Sequence, residues 1–279
     1  MKILDDLVRP GAQVRWERGG DIEAVSTEVQ NALTRAKRFE IDASLADHVL
    51  RLKTPSLEQI GPQILPFEEC WFEYDVAGAP PVNRIGVFAS MRQHKTYHGH
   101  RTISFTIHTS GLVPGVPFIF EVYPSIDVDE RGSITGWATQ QFDPDANSQS
   151  VSSQKQSWAL ASVLPAMYSV GLLNCKNVSV ERIERLSRVT KKQRRARPPK
   201  LDYHTIILPN ASIGGGSGDR LPGSGDVLPR HKVRGHFKRF TAEAPLMGKH
   251  VGTYWWGWQV RGNKKNGITV TDYKIGDVA

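Results

Sequence analysis

The sequence has little cysteine and lacks the motifs that identify most enzyme classes. Only two of its 279 residues are cysteines, Cys70 and Cys175, and they lie far apart without a C-x-x-C partner. This spacing excludes a disulfide framework and a zinc ribbon, and is typical of a reducing, intracellular setting. The G-x-x-x-x-G-K-[ST], H-E-x-x-H and G-x-S-x-G signatures are also absent. We therefore expect neither a cofactor nor a metal.

Long apolar runs are equally scarce. The N-terminal sequence MKILDDLVRPGAQVRWERGG carries acids and arginines where a signal peptide needs an apolar run. Residues 156–175 are uncharged, but Gln156, Pro165 and Asn174 interrupt them. Because a spanning helix needs about 20 predominantly apolar residues, we expect a buried helix here and no membrane partner.

Helical periodicity marks the first part of the chain. Hydrophobic residues make up 39% of the sequence and aromatic residues 9%, enough to build a packed core. Residues 21–53 place apolar side chains at spacings of three and four, which predicts helical structure. Asp42 or Ser44 is the expected start of a second helix in this stretch.

The hydrophobic period changes to two after residue 70. Short runs rich in aromatic and β-branched residues alternate with turns, which predicts an antiparallel sheet of four or five strands. These runs are CWFEYDV, NRIGVFASM, RTISFTIHTS, VPFIFEVYPSIDV and GSITGWATQQF. The sequence DERG at 129–132 predicts a hairpin turn in which Gly132 has a positive φ. The fold class is therefore α+β.

Composition divides the chain into four predicted parts. Residues 1–178 form a mixed body, 179–200 a basic amphipathic helix ended by two prolines, and 201–227 a strand followed by a Gly/Ser-rich connector. Residues 228–279 form a small basic β module with strands at 231–240, 252–261 and 268–275, the last two joined by GNKKNG. Three strands with one apolar face are about the minimum for independent stability.

Charge is distributed unevenly along the chain. From Val180 to the end there are 20 Lys or Arg and 8 Asp or Glu, a net charge of +12. The preceding residues have 16 bases and 20 acids, a net charge of −4. An acidic body with a strongly basic final third favours contact with a polyanion, and nucleic acid is the commonest one.

The predicted basic helix has two stripes. Ile183, Leu186 and Val189 form its apolar stripe. The basic stripe consists of Arg185, Arg188, Lys192 and Arg195. These side chains are candidates for phosphate contacts. The alternative is a solvated helix, because Glu181 and Glu184 can pair with arginines four residues on.

The tail sequence HKVRGHFKRF, residues 231–240, supplies a second basic surface. Strand alternation predicts that His231 and His236 lie on opposite faces. The predicted platform comprises Arg234, His236, Lys238 and Arg261 around an exposed Trp255. Such a surface contacts phosphates through its cations and stacks a base on its indole. The alternative is a solvated strand with a tryptophan that packs against its own chain.

Two catalytic or metal readings are weaker. His236 with Tyr273 offers an acid–base pair for metal-independent RNA cleavage. His94, His98 and His100 offer three nitrogen ligands, but the neighbouring Arg and Lys residues would oppose a cation. A polar turn is the favoured interpretation of that histidine cluster.

The tail HKVRGHFKRF…GTYWWGWQVRG…ITVTDYKI, with KKQRRARPPKLDYHTIILP before it, resembles uncharacterised proteins encoded by bacteriophages and prophages. The resemblance covers roughly the last 100 residues, and the insert TAEAPLMGKHVG is longer than in many of those sequences. It implies a protein made in the cytoplasm of an infected bacterium and assigns no functional residue.

The leading hypothesis is a non-enzymatic, phage-encoded protein that binds nucleic acid through its basic final third. The first alternative is a protein-binding inhibitor of a host or defence complex. The second is a metal-independent ribonuclease, and a structural role in the virion is a further possibility.

Overall fold

A computed structural model describes most of the chain, and it divides into two units. The described residues are 2–16, 22–52, 57–76, 83–110, 115–120, 122–141, 153–183, 203–207, 229–233, 236–256, 259–261 and 263–268. Unit 1 comprises Met1–Asn174 with Val180–Ile207, and unit 2 comprises Cys175–Ser179 with Leu208–Ala279. Each unit is described by itself below.

Helices and strands are mixed along the chain. The helices are α1 (Ile3–Leu7), α2 (Thr27–Arg35), α3 (Ala43–Leu50), α4 (Leu57–Ile60) and α5 (Ser153–Leu173). The strands of the body are β1 (Gln13–Trp16), β2 (Ile22–Ala24), β3 (Lys37–Glu40), β4 (Glu69–Asp75), β5 (Arg84–Gln93), β6 (Arg101–Thr109), β7 (Phe118–Ile119), β8 (Val122–Val128), β9 (Ile134–Gln141), β10 (Ser179–Ile183) and β11 (Tyr203–Ile207). The tail strands are β12 (Pro229–Val233), β13 (His236–Phe240), β14 (Gly252–Trp256), β15 (Gln259–Arg261) and β16 (Asn263–Ile268).

The described body strands form one large mixed sheet. Its order is β10-β11-β3-β4-β5-β6-β7-β1-β2, and β6 also pairs with β8, which pairs with β9. The predicted antiparallel strands are confirmed as β4, β5, β6, β8 and β9, which pair in that order. The predicted turn is confirmed as well, because Gly132 has a φ of 78°. The α+β class is therefore correct.

Helices cover the sheet on both faces, so its central strand is buried on both sides. In β4, Cys70, Phe72 and Tyr74 face the core beneath α3 and α5. The alternate residue Trp71 faces a second core with Leu4 and other residues of α1 and α2. Period-two alternation in β4 therefore separates two apolar cores.

The uncharged segment forms the buried helix α5, as predicted. Ala159, Val163 and Val170 are fully or almost fully buried against the sheet. The hydroxyl of Tyr74 donates a 2.7 Å hydrogen bond to the carbonyl of Ser162, one turn before Pro165. None of the helices in the described part of the chain combines the length and the apolar character that a membrane crossing requires.

The prediction of helical structure over 21–53 was partly wrong, although the second helix begins at Ala43, between the two predicted start residues. Helices α2 and α3 occur there, but Ile22–Ala24 and Lys37–Glu40 are strands. Strand β3 pairs in parallel with both β4 and β11, and the Phe39 ring stacks on Phe72 at a centroid distance of 5.2 Å. Tertiary pairing overrides local periodicity in so short a strand.

A buried carboxylate, Glu73, joins four parts of unit 1. Its side chain is fully buried, and its Oε2 accepts hydrogen bonds from Trp71 Nε1 and the Tyr203 hydroxyl, both at 2.9 Å. Its Oε1 accepts from the backbone N–H of Ile3 at 3.0 Å and from Arg84 Nη1 at 3.1 Å. The four donors come from α1, β4, β5 and β11.

Gly86 leaves the space that this arrangement needs. A Cβ atom at Gly86 would lie 2.2 Å from the Trp71 indole, which is shorter than any tolerable contact. The indole therefore crosses β5 at the one residue without a side chain, with its N–H directed at Glu73.

Both cysteines are buried, and neither forms a disulfide. Burial raises the pKa of Cys70 and of Cys175 to about 12. Because the thiolate is the reactive form, neither thiol is suited to nucleophilic chemistry.

Glu73→Ala is predicted to destabilise the protein by about 3–5 kcal/mol. The substitution removes the acceptor that Glu73 provides to Ile3, Trp71 and Tyr203, and it removes the buried carboxylate beside Arg84, which keeps its ion pair with Asp75. Urea unfolding measures the change, and Glu73→Gln, which keeps one oxygen, is the matched variant. A loss below about 1 kcal/mol for Glu73→Ala would contradict the role of this carboxylate.

His108 is predicted to make stability sensitive to acid. Its ring is buried 5.3 Å from that of Trp71, and its Nδ1 has no hydrogen-bond partner within the described residues. Burial lowers its pKa from 6.5 to about 4. The unfolded chain therefore takes up the proton first, and stability falls as the pH drops from 6.5 towards 4. In urea unfolding His108→Gln should lose less stability over that range, whereas equal losses would show that other groups cause the effect.

Candidate nucleic-acid interface

Unit 2 contains an antiparallel hairpin built from the tail sequences. The predicted strands 231–240 and 252–261 are each described in two segments: β12 pairs with β15, and β13 pairs with β14. His231 pairs with Arg261, and His236 pairs with Trp256. Each pair is separated from the other by five residues on both strands. The two pairings therefore share one register.

This register decides which side chains lie together. His236 is opposite Trp256, and Lys238 is opposite Tyr254. Directly opposed residues of an antiparallel pair project to the same face. We call the residues on this side the basic aromatic face: His236, Lys238, Phe240, Tyr254 and Trp256.

The basic aromatic face surrounds an exposed cation with rings. Lys238 Nζ lies 5.1 Å from the centroid of the Phe240 ring and 5.5 Å from that of Trp256. The Phe240 ring is 5.6 Å from Trp256 and 5.8 Å from Tyr254. His236 and Lys238 are exposed, and the three rings are partly exposed. Lysine over aromatic faces is a favourable cation–π arrangement.

On the opposite face of the hairpin, which we call the closed face, Phe237 and Trp255 pack together and Arg239 is exposed at the edge. This face corrects the prediction for Trp255. Trp255 was expected to be exposed beside the basic residues, but it is only 3% exposed and its ring lies 5.0 Å from that of Phe237. Phe237 and Trp255 are directly opposed in the register. The sequence alone does not specify the register of the two arms, which places Trp255 opposite Phe237 and on the other face from His236 and Lys238.

Asn177 fixes the backbone of β14 at Trp255. Its Oδ1 accepts a 2.8 Å hydrogen bond from the Trp255 N–H, and its Nδ2 donates a 2.7 Å bond to the Trp255 carbonyl. The N–H of Lys176 donates to the carbonyl of Thr253 at 2.9 Å. The segment 175–179 thus binds the side of β14 at two residues.

Two other tail predictions were wrong in detail. Ser179–Ile183 is a strand that lies beside β11, not the first turn of a helix. Asn263–Ile268 is a strand paired in parallel with β12, not a turn. In both places strand pairing overrides the local pattern, as it does at β3.

Several predicted site residues lie outside the described part. These are Arg185, Arg188, Lys192, Arg195 and Arg234. Arg261 is described only by its backbone, which pairs with His231. Tyr273 is also outside, so its pairing with His236 stays a prediction. Of the predicted platform, the structure brings His236 and Lys238 together.

The cluster at 94–100 is a hydrogen-bonded turn. His94 Nδ1 accepts hydrogen bonds from the N–H groups of Thr96 and Tyr97 at 3.1 and 3.0 Å. Its Nε2 lies 3.8 Å from an oxygen of Asp127. Among the described residues, no three His, Cys, Asp or Glu side chains are grouped so as to hold a metal ion.

No family model matches the chain, and no curated protein or solved structure matches it. The candidate function therefore depends on the geometry of the hairpin.

The aromatic residues of the basic aromatic face were not predicted from the sequence. Phe240, Tyr254 and Trp256 were not among the predicted site residues. Pairing HFKRF with GTYWW in the observed register places Phe237 opposite Trp255, and Lys238 and His236 then lie opposite Tyr254 and Trp256.

Asn177→Asp is predicted to weaken the closed face. The carboxylate keeps an acceptor for the Trp255 N–H but loses the donor and faces the Trp255 carbonyl. Amide hydrogen exchange at Trp255 should accelerate about tenfold or more, because a lost hydrogen bond costs about 1–3 kcal/mol. Asn177→Ala is the matched variant, and unchanged protection of the Trp255 amide in both would contradict this contact.

Proposed function

We propose that this protein binds single-stranded nucleic acid through the basic aromatic face. The observation that supports the proposal is the position of Lys238 over the rings of Phe240 and Trp256, on a hairpin side that is partly exposed. A cation and stacking surfaces within one small area are the two components that single-strand binding requires.

The chemistry favours unpaired bases over an intact duplex. Aromatic side chains stack on bases that are splayed out of a helix, whereas duplex bases offer only their edges to the grooves. Tyr254 and Trp256 occupy alternate positions of one strand, roughly 6.5–7 Å apart along it. That separation is similar to the spacing of successive nucleotides in an extended strand, so each ring serves one base.

Charge supports the same partner. Residues 180–279 carry a net charge of +12, which attracts the phosphate backbone over a distance and accelerates encounter. The described side chains of the face are rings and cations, which accommodate both DNA and RNA. In this proposal the protein is phage-encoded, acts in the host cytoplasm and binds without cleaving.

Lys238→Gln is predicted to weaken binding to single-stranded oligonucleotides. Loss of one phosphate contact should lower the affinity several-fold at low salt and reduce the slope of log K against log salt by about 0.7. Fluorescence anisotropy with labelled single-stranded and duplex DNA and RNA at several salt concentrations measures both quantities.

Arg239→Gln is the matched control. Arg239 adjoins Lys238 in sequence, is exposed and loses the same charge, but it lies opposite Thr253 on the other side of the hairpin. It should retain most of the affinity. Equal effects of the two variants would reduce the proposal to non-specific attraction, and no binding at low salt would refute it.

Recovery of the probes on a denaturing gel separates binding from cleavage. Intact probes are expected, and products that disappear in His236→Ala would favour the ribonuclease alternative. Salt-sensitive capture of a single host protein, without affinity for oligonucleotides, would favour the inhibitor alternative.

A further inference from the structure

The connection between β13 and β14 is closed by backbone hydrogen bonds, although it is long for a hairpin. Leu246 and His250 exchange backbone hydrogen bonds of 2.8 and 3.0 Å, which closes a small inner loop. The N–H of Lys249 donates to the Leu246 carbonyl at 3.1 Å, and the N–H of Gly248 donates to the Pro245 carbonyl at 3.3 Å. These four hydrogen bonds define the backbone geometry of the tip of the hairpin.

Met247 lies at the end of this tip in an unusual conformation. Its φ is 51° and that of Gly248 is 71°, so both central residues of the turn are left-handed, as in a type I′ turn. Met247 is the only non-glycine with a positive φ among the described residues, and its side chain is 86% exposed. Asn, Asp or Gly suits this position better than methionine does.

The Met247 side chain contributes little burial that would offset the strain of its backbone conformation. At 86% exposure it buries little apolar surface. Residues that occupy sparsely populated φ regions in a fixed frame cluster at ligand contacts and other functional sites. An exposed, unbranched apolar side chain on a rigid turn has the form of a contact that is buried only in a complex.

The surroundings of Met247 favour an anionic partner. Lys249 and His250 are exposed beside it. The one acid between His236 and Trp256 is Glu243, whose hydrogen bond with the Thr241 side chain lowers its pKa. The turn continues the two strands that carry Lys238 and Trp256.

We propose that Met247 is a wedge that inserts at the junction between single-stranded and double-stranded nucleic acid. This inference rests on the proposed function: the basic aromatic face holds the unpaired strand, and the tip meets the first base pair of the duplex. Apolar side chains, methionine among them, insert between base steps in this way, and Lys249 contacts the adjacent phosphates.

The free energies of methionine burial and of base unstacking favour insertion at a junction over insertion into the interior of a duplex. Burying one methionine side chain and unstacking one base step involve free energies of similar size and opposite sign. Insertion into an intact duplex therefore gains nothing, whereas at a junction the terminal pair lacks one stacking neighbour and opens more readily. A partner with both a free strand and a duplex end therefore contacts both the basic aromatic face and Met247.

The test compares three labelled probes with the full chain: a single strand, a blunt duplex, and a duplex with a single-stranded tail that carries 2-aminopurine at its first pair. The wild type should bind the tailed duplex more tightly than the single strand, by up to about tenfold, because burial of one methionine outweighs the reduced cost of opening the terminal pair. The 2-aminopurine fluorescence should rise as the base unstacks.

Met247→Gly should abolish the preference for the tailed duplex and leave the affinity for the single strand unchanged. Glycine adopts the left-handed conformation freely, so folding is retained, and thermal melting checks this. Met247→Leu keeps the apolar bulk and should keep the preference. Equal wild-type affinity for tailed and single strands, or a preference that persists in Met247→Gly, would overturn the wedge. If neither probe binds, the proposed function has failed and the wedge with it.

Discussion

The buried carboxylate of Glu73 is the interaction on which unit 1 depends. An ionised group inside a core is tolerated only when hydrogen bonds replace its lost hydration. Here four donors do so, and because they come from α1, β4, β5 and β11, the carboxylate fixes elements that are distant in sequence. Gly86 makes room for the indole that supplies one of them. This centre is fully buried and fully bonded, which suits a structural role and leaves no oxygen for a substrate.

The hairpin of unit 2 has one packed side and one partly exposed side. One of its sides is closed by Phe237 and Trp255, and Asn177 binds the backbone of the same strand. With that side fixed, strict alternation directs Lys238, Tyr254 and Trp256 to the other side. The closed side thus determines the shape of the candidate interface, and a preorganised surface loses less conformational entropy on binding.

Local patterns in the sequence predicted the α+β class, the five antiparallel strands, the buried helix and the positive φ of Gly132, because each is encoded within a few residues. Features that depend on the pairing of distant strands were not predicted. Strand β3 was read as helix since four residues show no clear period, and Ser179–Ile183 was read as helix since its partner β11 is distant in sequence. The candidate site was half predicted. His236 and Lys238 were named, but the register that buries Trp255 and leaves Trp256 partly exposed requires knowledge of which residues oppose each other.

Ultraviolet cross-linking of the full chain to a single-stranded oligonucleotide, followed by mass spectrometry of the nucleotide-linked peptides, tests the central claim most directly. Stacked aromatic rings are the side chains closest to the bases, so the account predicts adducts on Tyr254 or Trp256 and none on the buried Trp255. Absence of adducts from the hairpin, with adducts confined to unit 1 or to Trp255, would contradict it.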